Sequence, residues 1–122
     1  EEKVTISHDN YWADIIKSME GVVHGVGGTA WRSGLNAEYH FAGKTGTAQV
    51  IGIAQDKEYK EEEIAEEFQD HALFIAFAPV ETPRIAIAIN VENGGGGSKT
   101  AAPIARKMLD HFMNNRDLIN KG

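Results

Sequence analysis

The chain's chemistry is concentrated in Lys44-Thr45-Gly46-Thr47, set within the stretch His40-Phe41-Ala42-Gly43-Lys44-Thr45-Gly46-Thr47-Ala48-Gln49-Val50. A cation, two hydroxyls and two glycines stand here in a run that otherwise reads as a strand. Alternation places Thr45, Thr47 and Gln49 on one side and Lys44, Gly46, Ala48 and Val50 on the other. Glycine weakens a strand interior, so Gly46 predicts a bulge or a close approach by another backbone. An ammonium and hydroxyls beside a residue with no side chain suit an extended ligand that ends in a carboxylate.

The flanking segments must hold this strand. Trp12, Ile15, Ile16, Met19, Val22 and Val23 recur at three- and four-residue steps, which predicts a helix over Asp9–His24 capped by Ser7 or Asp9, with Trp12 in its core. Gly25, Gly27 and Gly28 end it and open a loop through Arg32-Ser33-Gly34, with Trp31 as a loop anchor. Beyond the motif, Gly52–Gln69 is dominated by charge. Lys57 and Glu61 stand four apart, and a short surface helix fits there. His71–Val80 is apolar on both faces, the pattern of a strand covered on both sides, and Pro79 ends it. A turn at Glu81-Thr82-Pro83 leads to Arg84–Glu92, where Ile85, Ile87, Ile89 and Val91 alternate with Ala86, Ala88 and Asn90. The small face of that strand is expected to admit a closely packed helix. Gly94–Gly97 form a turn, and Ala101–Met113 carries Ile104, Met108, Leu109 and Phe112 at helical spacing. Residues 114–122 should fray. The order predicts an α+β fold, a three-stranded antiparallel meander with packed helices.

At 122 residues and 42% hydrophobic composition the chain suits one small unit with a core. A net charge of −6 and a pI near 5.3 argue against nucleic-acid binding. No apolar run is long enough to cross a membrane, and Glu1-Glu2-Lys3 does not open a signal peptide, so the chain as given reads as soluble. There is no cysteine, which excludes disulfides and thiolate metal sites. His8, His24, His40, His71 and His111 show no metal-ligand spacing, and no cofactor is implied. Gly43-Lys44-Thr45 imitates the end of a nucleotide-binding P-loop, but the glycine required at position 38 is Glu38.

Lys44-Thr45-Gly46-Thr47 resembles the third motif of the penicillin-binding serine acyl-transferases, which carry S-x-x-K, then S-x-N, then K-T-G. Its neighbours extend the likeness: Val22-Val23-His24-Gly25, Gly28-Thr29-Ala30, Ala42-Gly43, Ala48-Gln49, Ala76-Phe77-Ala78-Pro79 and Glu92-Asn93-Gly94-Gly95. Together they resemble the C-terminal part of a class B penicillin-binding protein, a peptidoglycan D,D-transpeptidase, within the penicillin-binding protein 2 group of the elongation machinery. The resemblance implies that residues 1–122 are a partial transpeptidase domain. It implies that Lys44 attracts the terminal carboxylate of a D-Ala-D-Ala stem peptide and, as a catalytic residue, helps hold the active-site proton network. It implies too that Thr45 and Thr47 offer the carboxylate hydroxyls, that Gly46 clears space for the bound peptide, and that the Thr47 backbone N–H is an oxyanion donor. Peptidoglycan stem peptides and β-lactams are then the ligands, a membrane glycosyltransferase the partner, and the inner membrane and periplasm the location of the whole protein.

The nucleophile is missing from this sequence. Three residues after Ser7, Ser18, Ser33 and Ser98 stand Asn10, Gly21, Asn36 and Ala101, so no S-x-x-K occurs. Two residues after them stand Asp9, Glu20, Leu35 and Thr100, so no S-x-N occurs. The chain alone is expected to be inactive. The competing reading is a non-catalytic binding module that kept the fold. The resemblance also implies that upstream strands pair with Arg84–Glu92, so the isolated chain is expected to expose that edge beside its isoleucines and self-associate.

Overall fold

Helix α1 (Asn10–His24) opens the described part of a computed structural model covering residues 4, 5, 7, 8, 10–50 and 66–115. Helical turn α2 (Trp31–Gly34), strand β1 (Ala42–Ala48) and a 3-10 turn (Glu66–Phe68) follow. Strands β2 (His71–Ala78) and β3 (Ile85–Val91) and helix α3 (Ala101–Asn114) complete the order. The strands form one antiparallel sheet in the order β1-β2-β3, the expected α+β meander. The surface helix expected around Lys57 and Glu61 lies outside the described residues, as do residues 116–122 of the expected tail. Asn114, where fraying was expected to begin, is the last residue of α3.

Both long helices cover the same face of the sheet. Val23 of α1, Phe41, Ala72, Phe74, Ala76 and Ala78 of the sheet side, and Ala101, Ala102, Ala105 and Leu109 of α3 form one buried cluster. Direct cross-strand partners share a face. Ala72, Phe74, Ala76 and Ala78 therefore lie beside Val91, Ile89, Ile87 and Ile85, which are partly buried against the same cluster.

The expectation that β2 is covered on both sides needs correction for the described residues. Its second face carries Leu73, Ile75 and Phe77, and Ile75 is 50% exposed. Both helices pack on the opposite face, so this apolar row meets no described element. Hydrophobicity records what a face favours, not which segment covers it.

The helix packing is also inverted relative to expectation. α3 lies on the bulky isoleucine face of β3, while Ala86, Ala88 and Asn90 are exposed. Close approach comes from the helix, whose Ala101, Ala102, Ala105 and Leu109 are buried; Ile104 and Met108, expected in its core stripe, are 40% and 46% exposed. In α1 only Val23 is buried, and Trp12, expected in the core, is 44% exposed with Ile15 at 47%. The packed end of α1 is its C-terminal turn, beside β1. Trp31 belongs to a helical turn, not to an irregular loop, and it is half-exposed beneath the Arg32 guanidinium rather than buried as an anchor.

Candidate active site

The motif occupies the middle of β1, and its register with β2 is unbroken from Ala42↔Phe77 to Ala48↔His71. Gly46 therefore marks no bulge. A methyl on Gly46 would itself meet only the Leu73 side chain, at 3.1 Å, so the close backbone approach demands its glycine at the facing position, Gly97, and not at Gly46. A methyl built on Gly97, just before α3, would lie 2.5 Å from the Gly46 carbonyl oxygen and 2.3 Å from that of Leu73. Gly43 is constrained differently, since a methyl there would fall 2.5 Å from the Phe74 ring.

Pairing with β2 sorts the motif side chains as alternation predicts. Lys44 and Gly46 stand opposite Ile75 and Leu73 on the open face, whereas Thr45 and Thr47 stand opposite Phe74 and Ala72 on the helix side. Lys44 and Thr47 are exposed, and Thr45 and Gly46 are half-buried. The Lys44 ammonium donates to the Thr45 carbonyl at 2.7 Å, a contact along its own strand that leaves its other donors for solvent or ligand. The Thr45 hydroxyl shares a 3.1 Å hydrogen bond with the Thr29 hydroxyl, a partner sixteen residues upstream in the loop after α1.

A cleft of about 350 Å³ opens over this face, lined by Lys44, Thr45, Gly46, Leu73, Phe74, Ile75, Ala88, Ile89 and Asn90. It is a largely apolar trough with one ammonium at its rim. β1 has only β2 as a neighbour among the described strands, so its other edge offers backbone groups to an extended peptide. The P-loop alternative fares badly, because Lys44 and Thr45 are followed by three further strand residues and not by a helix.

The segment leading into β1 is tied on three sides. Arg106 of α3 donates to the carbonyls of Ser33 and Leu35 at 2.7 and 2.9 Å and to the Asp110 carboxylate at 2.7 Å. Asp110 in turn accepts the Tyr39 hydroxyl at 2.8 Å, and burial followed by this carboxylate pushes the Tyr39 phenol well above its ordinary range. The Val80 N–H donates to the His40 carbonyl at 3.0 Å. The third tie is a cluster that sequence spacing missed. The His40 Nδ1 lies 2.6 Å from the Glu20 carboxylate, the His40 ring stacks on His24 at 4.7 Å, and the His24 Nε2 accepts the Phe41 N–H at 3.2 Å. Glu20 and His24 stand four apart on α1, a detectable signal, but nothing in the sequence brings His40 to them. Among the described residues no group of acidic, histidine or cysteine side chains is arranged to hold a metal, and no helix is long and apolar enough to cross a membrane.

This strand, meander and C-terminal helix carrying K-T-G on an open edge define a class, and the chain belongs to it: residues 1–110 match the family described as penicillin binding protein transpeptidase domain. Among its relatives, the peptidoglycan D,D-transpeptidase MrdA of Haemophilus influenzae is 39% identical over 105 residues, which are 86% of this chain and 16% of that protein. Penicillin-binding protein 2 (PBP2) of Pseudomonas aeruginosa, solved in complex with WCK 5153, is similar in structure. It matches with a TM-score of 0.75 and 37% identity over 91% of this chain and 21% of that one. PBP2 of Helicobacter pylori, solved in complex with MreC, matches with a TM-score of 0.72 and 31% identity, covering 86% of this chain and 17% of that one. The chain thus spans only about a fifth or less of the length of these relatives.

Proposed function

We propose that this chain forms the carboxylate-gripping and oxyanion side of a peptidoglycan D,D-transpeptidase, and that the attacking serine and its S-x-x-K and S-x-N motifs lie in sequence outside it. Acyl transfer needs a nucleophile, a proton carrier, an oxyanion hole and a hold on the substrate. Lys44 attracts the terminal carboxylate of the stem peptide from the open face of β1, while the Thr45 and Thr47 hydroxyls, which the resemblance assigns to the same carboxylate, stand on the helix side of the strand. The Thr47 N–H stabilises the oxyanion, and Gly46 keeps the strand edge clear. β-Lactams acylate the same site because they too present a carboxylate beside a reactive carbonyl. The resemblance extends the proposal to an inner-membrane anchor, a periplasmic catalytic domain and a membrane glycosyltransferase partner for the full-length protein.

The observation that carries this reading is the exposure of Lys44 at the rim of a largely apolar trough, on a strand whose second edge is unpaired among the described residues. Fluorescent penicillin is the direct test. The full-length protein should label covalently, and the 122-residue chain should not, because none of its four serines has a lysine three residues on. Labelling of the short chain would place a nucleophile inside it and defeat the division of labour. Failure of the full-length protein to label would defeat the transpeptidase reading itself.

The open face also sets the solution behaviour of the isolated chain. The exposed isoleucine of the sheet is Ile75 of the central strand β2, not those of β3, which are half-buried against α3. An apolar row that no described element covers, between two edges unpaired among the described residues, favours sheet-to-sheet association. Light scattering at high micromolar concentration should give a mass above that of one chain, and Ile75→Lys should lower it. A monomer in both cases would refute the association.

A further inference from the structure

We propose that His24 is a positioning residue for the motif strand: through its neutral imidazole it holds the Phe41 N–H and so fixes where Lys44 to Thr47 meet the substrate. The inference deepens the acyl-transfer reading of this site and rests on it. Phe41 is fully buried and immediately precedes β1, three residues before Lys44. Among the described residues its N–H donates to the His24 Nε2 at 3.2 Å, and the two rings meet edge to face at 5.3 Å. A nitrogen that accepts a hydrogen bond must keep its lone pair, so His24 is neutral with its proton on Nδ1. A second proton turns Nε2 into a donor aimed at another donor, and the tie is lost.

The surroundings hold the ring in the competent form. Burial lowers the His24 pKa from its ordinary value, and the neighbouring His40 adds to this. Glu20 opposes them, the Arg106 guanidinium of α3 lowers it further, and the contact with the Phe41 backbone is the smallest influence and acts upward. The net lowering therefore comes from burial and charge and not from the tie itself. Glu20 is drawn toward His40, whose Nδ1 it meets at 2.6 Å. The sign follows from the lowered pKa. The tie is complete above about pH 6.5, the ordinary imidazole value, and is lost as the pH falls through the lower value in the fold. His71 likewise accepts a backbone N–H, that of Asn93 at 2.9 Å, so the test singles out His24 by substitution.

The test compares acylation by fluorescent penicillin in the full-length protein with His24 intact, His24→Gln and His24→Ala. Glutamine places an acceptor near the Nε2 position that does not titrate. At pH 7.5 the glutamine variant should label at nearly the wild-type rate, and the alanine variant about fivefold more slowly, the effect of one lost hydrogen bond. As the pH falls through the lowered His24 value, the wild-type rate should fall about fivefold relative to that of His24→Gln. A wild-type to His24→Gln ratio that does not change with pH, or an alanine variant as fast as wild type, overturns the proposal. A second measurement separates this from failure of the transpeptidase reading. In the ¹⁵N spectrum of the full-length protein labelled at phenylalanine, the Phe41 amide should shift with the midpoint of the His24 ring, whatever the protein's activity. A Phe41 amide that ignores that titration overturns the proposal even if penicillin labels the protein normally.

Discussion

Lys44→Ala in the full-length protein is expected to lower the rate constant for acylation by fluorescent penicillin by about 10²- to 10³-fold, comparable to the loss of one oxyanion donor. The size follows from where the charge sits. The trough over the sheet is lined by apolar side chains and Asn90, with Lys44 as its cation. A carboxylate docking there has no second positive partner among the lining residues. A charge-assisted hydrogen bond is about twice as strong as a neutral one and grows stronger once a ligand excludes water. Stability should hardly change, within about 0.5 kcal/mol, because Lys44 is exposed and its described hydrogen bond is to its own neighbour's carbonyl. Lys44→Arg should recover only part of the rate, since a planar fork replaces a compact charge on a strand edge. Acylation of Lys44→Ala at the wild-type rate would remove Lys44 from the site.

Much of this arrangement was legible in the sequence because it is written in short-range order. Alternation around Gly46 placed Lys44 and Thr45 on opposite faces, and the register with β2 repeats that division. The two isoleucine- and phenylalanine-rich runs announced β2 and β3. What escaped the sequence depends on contacts between distant residues. Ile104 and Met108 fit a helical stripe as well as Ala101 and Ala105 do. Only the bulk of Ile85, Ile87 and Ile89 across the interface selects the alanines, since two large faces cannot approach closely. The Thr29 hydroxyl on Thr45 and the His24 acceptor for Phe41 are likewise products of α1 folding back on β1, and no spacing rule registers them.

Gly97→Ala is expected to destabilise the chain by about 2–4 kcal/mol, near the top of the usual overpacking range. The added methyl would sit 2.3 Å from the Leu73 carbonyl oxygen, 2.5 Å from that of Gly46 and 3.1 Å from the Gly46 nitrogen. All three are backbone atoms of paired strands, so no side-chain rotation relieves the contact. Either α3 lifts from the sheet, giving up burial around Ala101 and Ala102, or β1 and β2 bend at the motif. Gly96→Ala is the control, because a methyl there meets nothing within 4 Å. Urea unfolding should separate the two variants, and equal midpoints would show that the turn accommodates the methyl. In the full-length protein the consequences diverge from those of Lys44→Ala. Loss of the lysine abolishes the grip on an intact scaffold, whereas the methyl at Gly97 displaces the strand that carries it. Gly97→Ala should therefore lose stability and acylation together, while Lys44→Ala loses acylation alone. Gly97 thus packs directly on the backbone of Gly46 and Leu73, and the turn before α3 sets the position of the motif strand.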